Sequence, residues 1–180
     1  MKRITGLLLA LALVLAMAVG ALADGVTFST KYFTLTLPQG WEIETEVMET
    51  EDGMEDLGCV ASPEEPGLVI ESFLLYDEDA KDKSLWNASE EELKAYAQEV
   101  METYADDKPE YIGTIKAGNI PFVLIRCDDS ESEYIYADTL TNGYYIMFMA
   151  YSADANKFHP LTADQVEQFK SILATFVPVT

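Results

Sequence analysis

Glu133-Tyr-Ile-Tyr-Ala-Asp-Thr-Leu-Thr-Asn-Gly-Tyr-Tyr-Ile-Met-Phe-Met-Ala-Tyr151 is the stretch that decides the fold. Asn142-Gly143 is the strongest hairpin signal in the chain, because both residues accept positive φ and a tight two-residue turn needs it. Such a turn pairs Thr141 with Tyr144 and thereby sets the register. Side chains alternate along a strand, so Ile135, Ala137, Ile146, Phe148 and Ala150 share one face. Tyr134, Tyr136, Tyr145, Met147, Met149 and Tyr151 share the other. Apart from Asp138 near the turn, neither face is charged. A sheet with one wet face would carry polar residues on it, so both faces of this hairpin need a cover.

Two amphipathic segments can provide it. Ser89 with Glu92, and Thr162 with Gln165, are capping boxes, in which two side chains satisfy the first backbone N–H groups of a helix. After the first, Leu93, Tyr96, Ala97, Val100, Met101 and Tyr104 recur at helical spacing, and Pro109 ends the run. After the second, Val166, Phe169, Leu173 and Phe176 form the stripe with Ile172 beside it, Leu161 and Val166 form a hydrophobic staple, and Pro178 closes it.

The rest of the chain reads as strands. Phe33, Leu35 and Leu37 alternate with Tyr32, Thr34 and Thr36; Pro38-Gln39-Gly40 turns; Trp41, Ile43, Thr45 and Val47 then alternate with Glu42, Glu44 and Glu46. This predicts a hairpin with a half-buried, half-acidic second strand. Further strands are expected over 57–61, 68–76, 111–116 and 120–127. The order is four strands, a helix, a four-stranded meander and a helix. The expected class is α+β, an antiparallel β-sheet flanked by α-helices on both faces, in one domain over residues 24–180.

Residues 1–23 are set apart from that domain. Lys2 and Arg3 precede an apolar run from Leu7 to Val19, and Ala21 and Ala23 put small residues before a cleavage point at Asp24. That is the layout of a secretory signal peptide. The run is too short to span a bilayer, which takes roughly 20 residues, and no lipid-accepting cysteine follows. The expected product is secreted, or periplasmic where the envelope has two membranes, with no membrane anchor after cleavage.

The 180-residue chain carries a formal charge of −21. Without the leader, 9 basic and 32 acidic residues remain, giving −23. Such a surface repels nucleic acid and anionic membrane, both of which need clustered Lys and Arg. Acidic residues crowd two loops, Asp77, Glu78, Asp79 and Asp82 in one, Asp128, Asp129, Glu131 and Glu133 in the other. Solvated loops are the plain reading. A calcium site built on Asp77, Asp79, Asp82, Asp128, Asp129 and Glu131 is the sharper one, although neither run has the glycine-centred spacing of an EF-hand. Cys59 and Cys127 are an even pair in an exported chain, compatible with one disulfide or with two buried thiols. His159 is the only histidine, and no nucleophile signature surrounds it or either cysteine.

Phe33-Thr-Leu-Thr-Leu-Pro-Gln-Gly-Trp41, an apolar strand closed by a Pro-x-Gly-Trp turn, resembles the opening of PsbP-like domains, named for an extrinsic subunit of the photosynthetic oxygen-evolving complex. The same fold is seen in a Ran-binding nuclear-import factor and in bacterial exported proteins. The resemblance extends over residues 27–179 and implies an α/β/α sandwich that elsewhere serves docking and accessory roles without shared catalytic residues. The expected function is an exported, non-catalytic binding or accessory protein of the bacterial envelope or medium, with a protein or small-molecule partner and no cofactor. A calcium-binding module and a hydrolase using His159 or a carboxylate pair are the alternatives. The binding candidates are Tyr134, Tyr136, Tyr145, Met147, Met149 and Tyr151, provided no helix covers them.

Overall fold

The computed structural model describes residues 25–45, 48–49, 53–129, 132–155 and 157–179. The leader expected over 1–23 and the calcium candidate Glu131 lie outside the described residues. In chain order the elements are β1 (Val26–Ser29), β2 (Phe33–Leu37), β3 (Glu42–Glu44), β4 (Met48–Glu49), β5 (Glu55–Ala61), β6 (Gly67–Tyr76), α1 (Glu90–Thr103), β7 (Glu110–Ala117), β8 (Ile120–Asp128), β9 (Glu133–Thr141), β10 (Tyr144–Ala153), β11 (Phe158–His159), α2 (Ala163–Leu173) and β12 (Val177–Pro178). The large sheet runs β3-β5-β6-β10-β9-β8-β7, with β4 on β5 and β11 on β10. A small sheet runs β1-β2-β12.

The β9–β10 hairpin forms in the expected register, Thr141 opposite Tyr144 and Phe148 opposite Ala137. Asn142 (φ 50°) and Gly143 (φ 82°) make the turn. A Cβ on Gly143 would press on the Asp77 carbonyl and the Tyr76 ring, so the position has neither the conformation nor the room for a side chain. Both capping boxes are present as expected. Ser89 caps α1 with Glu92, and Glu90, Glu91 and Glu92 in the first turn complement the helix dipole. Thr162 caps α2 with Gln165. The Gln165 amide also donates to Ser152 Oγ (3.0 Å), tying the helix start to β10.

One face of the large sheet is covered by α2 and the small sheet together. Phe33 of β2 stands 5.1 Å from Phe148 of β10, and Phe122 of β8 stands 5.0 Å from Phe176 just past α2. These ring pairs are edge to face and buried, which fastens three layers at one point. The other face is covered by α1, whose Leu93, Tyr96 and Ala97 meet Val123, Ile125 and Cys127 of β8. Strand β8 is therefore buried on both sides, Phe122 and Leu124 toward one layer and Val123 and Ile125 toward the other. The α+β class with a helix on each face holds, and the small sheet is an addition that the pattern did not reveal.

The hairpin expected between residues 31–37 and 41–47 does not form. Strand β2 pairs with β1 and β12 in the small sheet, whereas β3 pairs with β5 in the large one. Pro38-Gln39-Gly40 is thus a crossing between layers. The reason is burial on both partners' terms: Phe33, Leu35 and Leu37 sink into the core, while Glu42, Ile43 and Glu44 are exposed on a sheet edge. A bulge between Asp56 and Gly58 interrupts the β5–β6 register, and Gly58 lies close against the Glu44 carbonyl of this edge strand. No helix among the described residues is long and apolar enough to cross a membrane.

Candidate functional site

Helix α1 packs over β7 and β8 at one end of the large sheet. The tyrosine and methionine face continues past it toward β10 and β6, and that remainder is only half covered. Two clefts open there. The first, about 280 Å³, is lined by Glu71, Asp129, Ser132, Tyr134, Tyr136, Met149, Tyr151 and Phe158. The second, about 310 Å³, is lined by residues that include Leu75, Tyr96, Tyr104, Asp138, Tyr145 and Met147. Tyr104 stacks on Tyr136 at 4.6 Å and stands between them. All six residues of the sequence-derived candidate surface therefore line one cleft or the other.

Register explains the first cleft. Tyr134 lies opposite Tyr151, and Tyr136 opposite Met149, which lies opposite Glu71 of β6. Directly paired residues point to the same face, so these side chains form adjacent rungs. Where β9 ends, β11 takes its place beside β10, with Phe158 opposite Ala153. Phe158 thereby joins the same face and is 50% exposed. Tyr151 donates its hydroxyl to Glu71 Oε1 (2.7 Å), and Tyr134 donates to Asp107 Oδ2 (2.5 Å). Burial, followed by these hydrogen bonds, raises both phenols above the ordinary tyrosine range. Both stay neutral at physiological pH with their rings held in place.

The second cleft contains a buried carboxyl. Asp138 is 7% exposed; its Oδ2 accepts from Tyr96 (2.6 Å) and its Oδ1 has no hydrogen-bond partner. Burial pushes its carboxyl up to about 7, against the opposing pull of the Tyr96 hydroxyl and the Thr139 N–H. Asp138, Tyr96, Tyr104, Glu71 and Phe158 were not among the sequence-derived binding candidates. Parity along β9 could have placed Asp138 on the tyrosine face; nothing local in sequence places Glu71 or Phe158 beside it.

The cysteines do not pair. Both are free thiols, on β5 and β8, with β6, β10 and β9 between them. Four inter-strand steps of about 4.8 Å separate them by roughly 19 Å, well beyond the reach of about 7 Å that a disulfide allows. Burial pushes each thiol up to about 11, so neither is a thiolate at neutral pH. His159 lies opposite Ser152, whereas Cys59 lies opposite Glu71 and Cys127 opposite Tyr134. The imidazole and both thiols thus face opposite sides of the sheet, and its Nε2 sits 2.7 Å from Asp154 Oδ2.

The acidic loops are used locally. Asp77 caps the short 3₁₀ turn Glu78–Ala80 by accepting from the Asp79 N–H. Asp128 pairs with Lys108 at 3.2 Å, and Asp129 accepts from the Ser132 N–H and hydroxyl. Asp77, Asp79 and Asp82 follow β6, whereas Asp128 ends β8 and Asp129 follows it, with β10 and β9 between the two strands. Among the described residues no three His, Cys, Asp or Glu side chains gather as a metal ligand set. A larger groove of about 470 Å³ runs between Glu64, Glu65 and the start of α2. Its lining is acidic and its helix start already carries Thr162, Gln165 and Asp164, so it offers neither rings nor an unused anion site.

The fold and this face define a class: an antiparallel-sheet α+β domain with a half-clad aromatic surface. No family model and no curated protein matches the sequence. Among solved structures the chain is similar to the cyanobacterial PsbP of Synechocystis sp. PCC 6803, at 13% identity, a TM-score of 0.48, and coverage of 87% of this chain and 96% of that one. It is also similar to a crystal structure from Bacteroides thetaiotaomicron, at 12% identity and a TM-score of 0.43, covering 87% of this chain and 49% of that one. The first belongs to the family that the turn at residues 37–41 resembles. Likeness at such identity concerns the fold alone.

Proposed function

We propose that the chain is an exported, non-catalytic binding or accessory protein of the bacterial envelope or medium, and that its recognition surface is the tyrosine and methionine face beyond α1. The observation that carries this reading is the first cleft, in which Tyr136, Met149, Tyr151 and Phe158 converge half-covered beside the buried Tyr134. Aromatic and thioether side chains give large contact area at low ordering cost, and an exposed group of them marks a binding surface. Two thiols pushed up to about 11, and a histidine on the opposite face from both, support a role without nucleophilic chemistry. The leader over residues 1–23 supports export.

Methyl-labelled methionine reports on the surface directly. In NMR titrations with phenol and indole, the Met149 and Met147 methyl signals are expected to shift saturably while Met54 does not. Uniform small shifts at all methionines, without saturation, would defeat the reading. Export is checked separately: mass spectrometry of the secreted product should give an N-terminus at Asp24.

A further inference from the structure

We propose that the first cleft binds a small organic ammonium ion, with the Tyr136, Tyr151 and Phe158 rings receiving the cationic head and Glu71 supplying the counter-charge. This deepens the reading above and rests on the same face being the binding surface.

Ring geometry is the first argument. Tyr134 and Tyr136 meet at 5.2 Å with 82° between their planes, and Tyr151 and Phe158 at 5.3 Å with 71°. Each pair is in edge-to-face contact, which uses one ring face and leaves the others for a cation in the cleft beside the pair. The tyrosine hydroxyls donate to Glu71 and Asp107, so two of the rings are fixed before any ligand arrives.

Charge is the second. The two carboxyl side chains lining the cleft are Glu71 and Asp129, and among the described residues no Lys, Arg or His lines it. Glu71 gives one oxygen to Tyr151 and keeps Oε2 without a partner among the described residues. A negative field in a chain of net charge −21 draws cations and repels anions.

Size and ligand chemistry narrow the class further. A volume of about 280 Å³ is at the small end of ligand pockets and suits a head group rather than a folded partner's edge. Calcium takes six to eight oxygens, roughly, and a lining of rings and a thioether with two carboxylates does not provide them. A weakly hydrated alkylammonium ion gains from rings and carboxylate alike.

The test uses the mature chain with choline chloride and its neutral isostere 3,3-dimethylbutan-1-ol at constant ionic strength, read by the Met149 methyl shift and by calorimetry. Choline is expected to bind at least about fivefold more tightly than the neutral alcohol. Glu71→Gln, which keeps the shape and an acceptor for Tyr151, should remove most of that preference while leaving the melting temperature within about 2 °C of the parent. Tyr136→Leu should weaken choline more than the alcohol. Equal binding of choline and alcohol would overturn the ammonium assignment and leave the binding surface standing. Choline shifts unchanged in Glu71→Gln would also overturn it, as diffuse attraction to an acidic chain. If neither compound binds, the assignment fails, and the phenol and indole response tells whether the surface itself fails with it.

Discussion

Tyr96 of α1 donates a 2.6 Å hydrogen bond to Asp138 Oδ2, joining a helix to strand β9 through the one carboxyl that is buried among the described residues. Burial holds the Asp138 carboxyl at about 7, against an unfolded value of about 3.9. The folded chain therefore keeps this proton between roughly pH 4 and 7, where the unfolded chain has lost it. Stability from this group is greatest at low pH and declines as pH rises through that window, by at most about 1.4 kcal/mol per unit, before levelling off. Glu99 and Asp77 line the same cleft.

Asp138→Asn removes that proton from the balance. Denaturant unfolding at pH 5, 6 and 8 should show the parent losing stability relative to Asp138→Asn as pH rises. A constant difference across the three values would mean that the carboxyl titrates alike in both states. Tyr96→Phe should cost about 1–3 kcal/mol, because Asp138 then loses the hydroxyl that donates to its Oδ2.

Phe148 and Phe158 lie on one strand ladder and should separate stability from binding. Phe148 is fully buried among Phe33, Phe122 and Phe176, and Phe148→Ala is expected to cost about 3–5 kcal/mol. Phe158 is half exposed, so Phe158→Ala should change stability by less than about 1 kcal/mol while abolishing the Met149 response to indole.

Gly58 adopts φ +104°, and a Cβ there would run into the Glu44 carbonyl oxygen. Gly58→Ala should unfold the β3–β5 edge or lower the melting temperature by well over about 5 °C, whereas Gly53→Ala, with open space around it, should cost far less. Comparable melting temperatures for the two variants would contradict the bulge.

Calcium offers a clean negative control. The described acidic loops spend their oxygens on capping, on Lys108 and on Ser132, so millimolar calcium is expected to leave the melting temperature within about 1 °C. A saturable rise of several degrees would restore the calcium reading.

Local chemistry was legible in the sequence; long-range pairing was not. The Asn142-Gly143 turn, both capping boxes and the two faces of the β9–β10 hairpin are set by neighbours within a few residues, and each appears as read. The Pro38–Gly40 segment looks like a hairpin turn because alternation on either side has the same period, yet alternation does not say which sheet a strand enters. Glu71 reaches the tyrosine face only through the β6–β10 pairing, more than 70 residues apart in sequence, and Phe158 only through a two-residue edge strand. How far α1 extends over the sheet is likewise a matter of where it docks, which a capping box and an apolar stripe leave open.

A crystallographic fragment screen with small neutral and cationic compounds tests the central claim most directly. The account predicts ligand density against Tyr136, Tyr151 and Phe158, with cationic fragments nearest Glu71. Density gathered instead between Glu64 and the start of α2, with both tyrosine clefts empty, would contradict it.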